Sequence, residues 1–145
     1  MKIAIAALAL VAALSAADKP DFTGTWSLNV ALSNYPSPLP TPAKLRKIVE
    51  QKENQLHYVI ERDLKGDGQV ERSELELEIG SASGDDSVTA RWEAKTMVVT
   101  ITTPTGVTQT EHWTLEEGGK RLTDRTLIRR PDGKENNVLR VYDKQ

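Results

Sequence analysis

The chain has no cysteine in its 145 residues, and only two histidines, two methionines and one phenylalanine. Without cysteine there are no disulfides and no thiolate ligands, so whatever the chain builds must rest on a packed core. The same absence leaves the redox compartment open, and with two histidines a zinc site would have to recruit carboxylates. No basic stripe stands out: acidic side chains outnumber basic ones, 21 to 19. Charges of both signs are interspersed, which argues against nucleic acid as a partner. After Leu14 there is no further long apolar run and no basic amphipathic helix, so a membrane-embedded role is not expected. Also missing is any sustained repeat of apolar residues at helical spacing.

What is present begins at the N-terminus. Met1-Lys2 precedes an unbroken apolar run from Ile3 to Leu14, then Ser15-Ala16-Ala17 and the charged Asp18-Lys19. One cation, a short apolar core and small residues at positions −3 and −1 predict a signal peptide, residues 1–17, cut after Ala17. The run is too short for a spanning helix, and no cysteine follows it to carry a lipid. The expected destination is therefore secreted or periplasmic. The remaining residues, 18–145, suit one domain.

In that part, period-2 runs alternate with turn signals, the pattern of an antiparallel meander. Trp26, Leu28 and Val30 form the first run. Leu45–Gln51 and Leu56–Arg62 read as a hairpin turning at Glu53-Asn54. Gly66-Asp67-Gly68 supplies the next turn. Leu75, Leu77 and Ile79 alternate with Glu74, Glu76 and Glu78. Val88, Ala90 and Trp92 precede Met97, Val99 and Ile101, followed by Val107–Leu115, Arg121–Arg130 and Val138–Tyr142. About nine half-buried strands in one flat sheet would leave two bare edges, and closure removes them. The expectation is an all-β, antiparallel up-and-down barrel; a two-sheet sandwich satisfies the same pattern.

Ser33–Pro42 departs from this pattern, with prolines at 36, 38, 40 and 42. Proline removes backbone donors and stiffens the chain, so this is a loop. It reads as a lid over a barrel mouth, a segment for a Pro-binding protein partner, or a connection strapped along the barrel.

Phe22-Thr23-Gly24-Thr25-Trp26-Ser27-Leu28 carries a Gly-x-Trp on the first strand, and this resembles the opening of lipocalins and fatty-acid-binding proteins, the calycin superfamily. The resemblance implies that Trp26 plugs the closed end and that Arg140, near the C-terminus, packs over it. Over its whole length beyond the signal the chain is similar to a group of small secreted bacterial lipocalin-like proteins, largely uncharacterised. They share an Ala90-Arg91-Trp92 strand, a Met97-Val98-Val99 strand, a Glu111-His112-Trp113-Thr114-Leu115 strand and a Pro131-Asp132-Gly133 hairpin. What this implies is a fold, with no chemistry attached.

Asp63–Glu74 has the spacing of a calcium loop, but Lys65 stands where a ligand oxygen belongs and strands flank it, so a hairpin tip is expected. His57 and His112 are out of phase with their apolar neighbours and should face solvent or a pocket edge. No Gly-x-Ser-x-Gly elbow singles out a nucleophile. No catalytic residue, cofactor or metal is expected. Glu111 shares a face with Gln109, Trp113 and Leu115, and Asp124 with Leu122, Thr126 and Ile128. If those faces point inward, the barrel holds carboxylates that need partners or a ligand; otherwise they face water near strand ends. Tyr58, Trp92, Glu111, Trp113 and Asp124 are the candidate ligand-binding residues, with plain core as the alternative for the aromatics. Two roles follow: a non-catalytic barrel holding a small, partly apolar ligand, or a filled barrel acting through protein contacts.

Overall fold

The computed structural model describes residues 19–80 and 87–145; the expected signal peptide, 1–17, lies outside the described residues. Alternation of apolar and polar side chains sorts each strand into an inner and an outer face. Nine strands result: β1 (Gly24–Leu28), β2 (Lys44–Lys52), β3 (Gln55–Asp63), β4 (Glu71–Glu78), β5 (Val88–Glu93), β6 (Thr96–Thr102), β7 (Thr108–Glu116), β8 (Arg121–Arg129) and β9 (Glu135–Lys144). They form one sheet in the order β4-β3-β2-β1-β9-β8-β7-β6-β5, curled into a nearly closed antiparallel barrel. β1 and β9, distant in sequence, pair with Trp26 opposite Lys144 and Leu28 opposite Tyr142. Between β4 and β5 a single parallel bridge, Ile79 to Ala90, joins the two edges.

The inner faces meet in a core of Phe22, Trp26, Leu45, Val49, Leu56, Tyr58, Leu77, Met97, Val99, Trp113, Leu122 and Tyr142, among others. Trp26 is fully buried, and its indole N–H donates to the Phe22 carbonyl at 2.9 Å. Gly24 precedes it with φ +152°, and a Cβ there would lie 2.9 Å from Lys144 Cε. The conformation therefore favours glycine in this motif, and a Cβ would also oblige the end of the Lys144 side chain to shift. The cation over Trp26 is Lys144, whose ammonium lies 5.5 Å from the ring centroid. Arg140, expected there, is two inward positions further up β9 and points elsewhere. The reason is register: Lys144 is the residue opposite Trp26.

β1 is also shorter than its alternation suggests. Asn29 Oδ1 accepts from the Leu32 amide at 3.1 Å, capping a one-turn 3-10 helix, Val30–Leu32, that leaves Val30 exposed. From there the chain is strapped to β9. Asn29 N–H donates to Val141 O (2.7 Å), and Asn34 exchanges two backbone bonds with Leu139 at 2.8 and 2.9 Å. The Pro-rich segment thus begins as a connection laid along the barrel. Asp63–Glu74 is a hairpin tip, as its flanking strands suggest: the Asp63 carboxylate accepts from the Gly66 and Gly68 amides at 2.7 and 3.1 Å. Burial works against that carboxylate's charge, but these backbone N–H groups and that of Asp67 outweigh it and hold its pKa below the usual range.

Candidate functional site: a buried charge network in the barrel

The inward positions of β2, β7, β8 and β9 do not all carry apolar side chains. Lys47 lies between Leu45 and Val49 on β2; Gln109 and Glu111 precede Trp113 on β7; Asp124 and Thr126 follow Leu122 on β8; Arg140 precedes Tyr142 on β9. Strand register aligns them. Trp113 is opposite Asp124, Asp124 is opposite Arg140, and Glu111 is opposite Thr126. Lys47, on the facing wall next to Trp26, reaches across the lumen.

The result is three charged groups buried in the barrel, Lys47, Glu111 and Asp124, with the half-buried Arg140 at their edge. Lys47 is 1% exposed, Glu111 3% and Asp124 0%. The Lys47 ammonium lies 3.6 Å from Glu111 Oε1 and 3.6 Å from Asp124 Oδ2, and Arg140 Nη1 lies 3.7 Å from Asp124 Oδ2. Two cations therefore face two carboxylates, which is the condition for burying any of them. The carboxylates are further held by hydrogen bonds. Trp113 Nε1–H donates to Glu111 Oε1 at 2.9 Å, Gln109 Nε2 to Glu111 Oε2 at 3.2 Å, and Thr126 Oγ1 to Asp124 Oδ1 at 2.8 Å. Lys47 also sits in an aromatic cage: its Nζ is 3.8 Å from the Trp113 ring centroid, 5.4 Å from Tyr58 and 5.3 Å from Tyr142. A desolvated cation over an indole face is worth about 2 kcal/mol.

Environment separates the two carboxylates. Burial raises both, but for Glu111 the charges of Lys47 and Arg140 and the Trp113 N–H outweigh it, leaving the pKa below the usual range. For Asp124, burial and repulsion by Glu111 win over Lys47 and Arg140, and its pKa is pushed up to about 6. Burial, then the two carboxylates, push the Tyr58 phenol well above its ordinary value; burial and Asp124 do the same for Tyr142. Among the described residues, three polar atoms inside the barrel have no hydrogen-bond partner: Lys47 Nζ, Tyr58 Oη and Asp124 Oδ2. The cavity among Lys47, Ile60, Gln109, Glu111, Asp124 and Arg140 measures about 30 Å3. That is the scale of one water molecule, an order of magnitude below the 300–1,000 Å3 of a small-molecule site.

The Pro-rich segment closes this end. Arg140 Nη1 donates to Thr126 Oγ1 at 2.8 Å, and its Nε donates to Tyr35 Oη at 2.9 Å, with the guanidinium 5.4 Å from the Tyr35 ring centroid. Tyr35 thereby links the loop to the network.

Of the five residues expected to contact a ligand, four converge: Tyr58, Glu111, Trp113 and Asp124 share this interior. Trp92 does not join them. It is half-buried at the closed end, where it stacks on Phe22 at 6.1 Å beneath the Lys19 ammonium. Phe22 is its link to Trp113, 5.8 Å away. Sequence reading missed Lys47 and the role of Arg140 in the network. The signal was present: Lys47 is in phase with Leu45 and Val49, and Arg140 with Val138 and Tyr142. The histidines are on the outer wall, as their phase indicates. His57 Nε2 is 2.6 Å from Glu74 Oε1, a hydrogen bond that holds its pKa above the ordinary value.

Comparison with known proteins adds a likeness of fold. A solved structure, secretory abundant heat soluble protein 4 from Ramazzottius varieornatus, is similar to this chain with a TM-score of 0.54 and 16% identity. The match covers 86% of this chain and 94% of that one. The likeness is one of fold. No protein-family model matches the sequence, and no curated protein does.

Proposed function

We propose that this chain is a secreted or periplasmic, non-catalytic, lipocalin-like barrel of the filled kind, which works through protein contacts on its outside. The observation that carries this reading is the interior: its charges are paired with one another and its large side chains leave a cavity of about 30 Å3. A carrier of this architecture needs room for cargo, and Tyr58, Lys47, Trp113 and Tyr142 occupy that room. Export rests on the Met1–Ala17 pattern, and the lipocalin-like assignment on Gly24-x-Trp26, strand order and closure. The neighbour's printed name, which calls that protein secretory, agrees with an exported barrel.

One observation favours a second reading, binding of a small, partly apolar ligand. A groove of about 450 Å3 opens at the rim among Leu28, Leu45, Val70, Lys44 and Arg46, outside the network. Its size suits a small molecule. Titration with an environment-sensitive apolar dye, such as anilinonaphthalene sulfonate, separates the two. The filled barrel gives no saturable enhancement. Saturable binding abolished by Val70→Glu would instead establish the rim ligand.

A further inference from the structure

The direction of the strands exposes a gap. Nine strands reversing at every turn would bring β1 and β9 together in parallel, yet they pair antiparallel. One connection therefore fails to reverse. It joins β4 to β5, which run the same way and touch through the bridge of Ile79 with Ala90, where the Gly80 amide donates to Ala90 O at 2.7 Å. Every other neighbouring pair in the sheet is antiparallel along its length. Among the described residues, the edge of β4 facing away from β3 has no strand paired along Glu71–Glu78. Alternate residues there point N–H and C=O groups out of the sheet, the template for strand addition.

The side chains along this edge say what fits. Leu75 and Leu77 face inward, and Leu75 is only half-buried. Glu74, Glu76 and Glu78 face outward and are exposed, with His57 and Glu50 behind them on β3 and β2. A second copy of β4 is a poor occupant, because the antiparallel register centred on Leu75 would set Glu74 against Glu76, with Arg72 meeting Glu78 only at the ends. A strand carrying lysine or arginine on one face and apolar residues on the other would set its cations against the three glutamates, Glu74 being shared with His57 and Arg72, and would cover Leu75. Such a strand, antiparallel to β4, would also be antiparallel to β5 and would restore alternation around the barrel.

We propose that the free edge of β4 is a strand-addition site for an extended peptide segment alternating basic and apolar residues. This rests on the reading that the barrel works through protein contacts, and it names the surface and the chemistry of the partner.

The test uses a fluorescein-labelled Lys-Val alternating peptide of the same 8-residue length as β4. Anisotropy should show saturable, salt-sensitive binding, and hydrogen exchange of the β4 amides should slow in the complex. Charge reversal in E74K/E76K/E78K should weaken binding about tenfold or more, as three lost cross-strand pairs imply, and should create binding to the Glu-Val counterpart. Exchange in the native protein gives the answer even if that variant folds poorly. Absence of saturation, or binding that leaves β4 exchange unchanged, overturns the site. If a partner then crosslinks to the Pro-rich segment, only this assignment fails. A small molecule retained in the barrel would remove the underlying reading itself.

Discussion

Lys47 is a buried ammonium ion, wedged between an indole face and two carboxylates. Its removal leaves Glu111 and Asp124 with Arg140 alone, and breaking a buried pair in this way costs about 3–5 kcal/mol. Lys47→Met should therefore lower the urea-unfolding free energy by that amount despite its good packing volume, and adding Asp124→Asn should recover part of the loss. Asp124 makes a separate prediction. Its pKa is 3.8 ordinarily and about 6 in the folded protein, so the folded state binds the proton more tightly. Its contribution is favourable below pH 3.8 and is lost as pH rises through about 6. Glu111, whose pKa is lowered, acts in the opposite sense and loses its contribution on acidification. Comparing native protein with Asp124→Asn between pH 4 and 7 isolates the first effect. The native protein should lose stability relative to the variant as pH rises; a difference independent of pH would refute the assignment. Both residues were legible as inward or outward alternatives from their phase alone. What the sequence could not show is which cations cross the lumen to meet them, because Lys47 and Glu111 are brought together only by closure.

At the scale of elements, the hairpins were readable because turn chemistry and alternation agree: Gly66-Asp67-Gly68, Thr103–Gly106 and Pro131–Gly133 each end one strand and begin the next. Two features were not. β1 stops at Leu28 because Asn29 caps a 3-10 turn, a local hydrogen bond that overrides an otherwise continuous Trp26-Leu28-Val30 pattern. The failure of β4 and β5 to reverse is invisible as well, since alternation gives a strand's faces but not its direction. The Pro-rich segment was open between lid and strap. It is a strap as far as Asn34, and then Tyr35 caps the network through Arg140. A hydrogen bond to a charged group contributes about 1.5–3 kcal/mol. Tyr35→Phe should destabilise by that amount and speed exchange of the Asn34 and Leu139 amides, whose mutual bonds hold the strap. Unchanged exchange would mean that the strap stands without Tyr35.

For the whole molecule, the fold class was the most legible feature, because nine half-buried strands without crosslinks have few ways to hide their edges. The interior was the least legible. Polar residues at inward positions fit an open, hydrated cavity as well as a closed network, and side-chain length decides between them. Here the long reach of Lys47 and Arg140, and the bulk of Tyr58, Trp113 and Tyr142, close the lumen to about 30 Å3. No helix among the described residues is long and apolar enough to cross a membrane. The central claim is that this barrel carries nothing inside. Native mass spectrometry of the protein purified from its own source without denaturation, beside the denatured mass, tests it most directly. The native mass should equal that of the processed chain or a whole multiple of it. An added mass of a few hundred daltons per chain that vanishes on denaturation would contradict that claim.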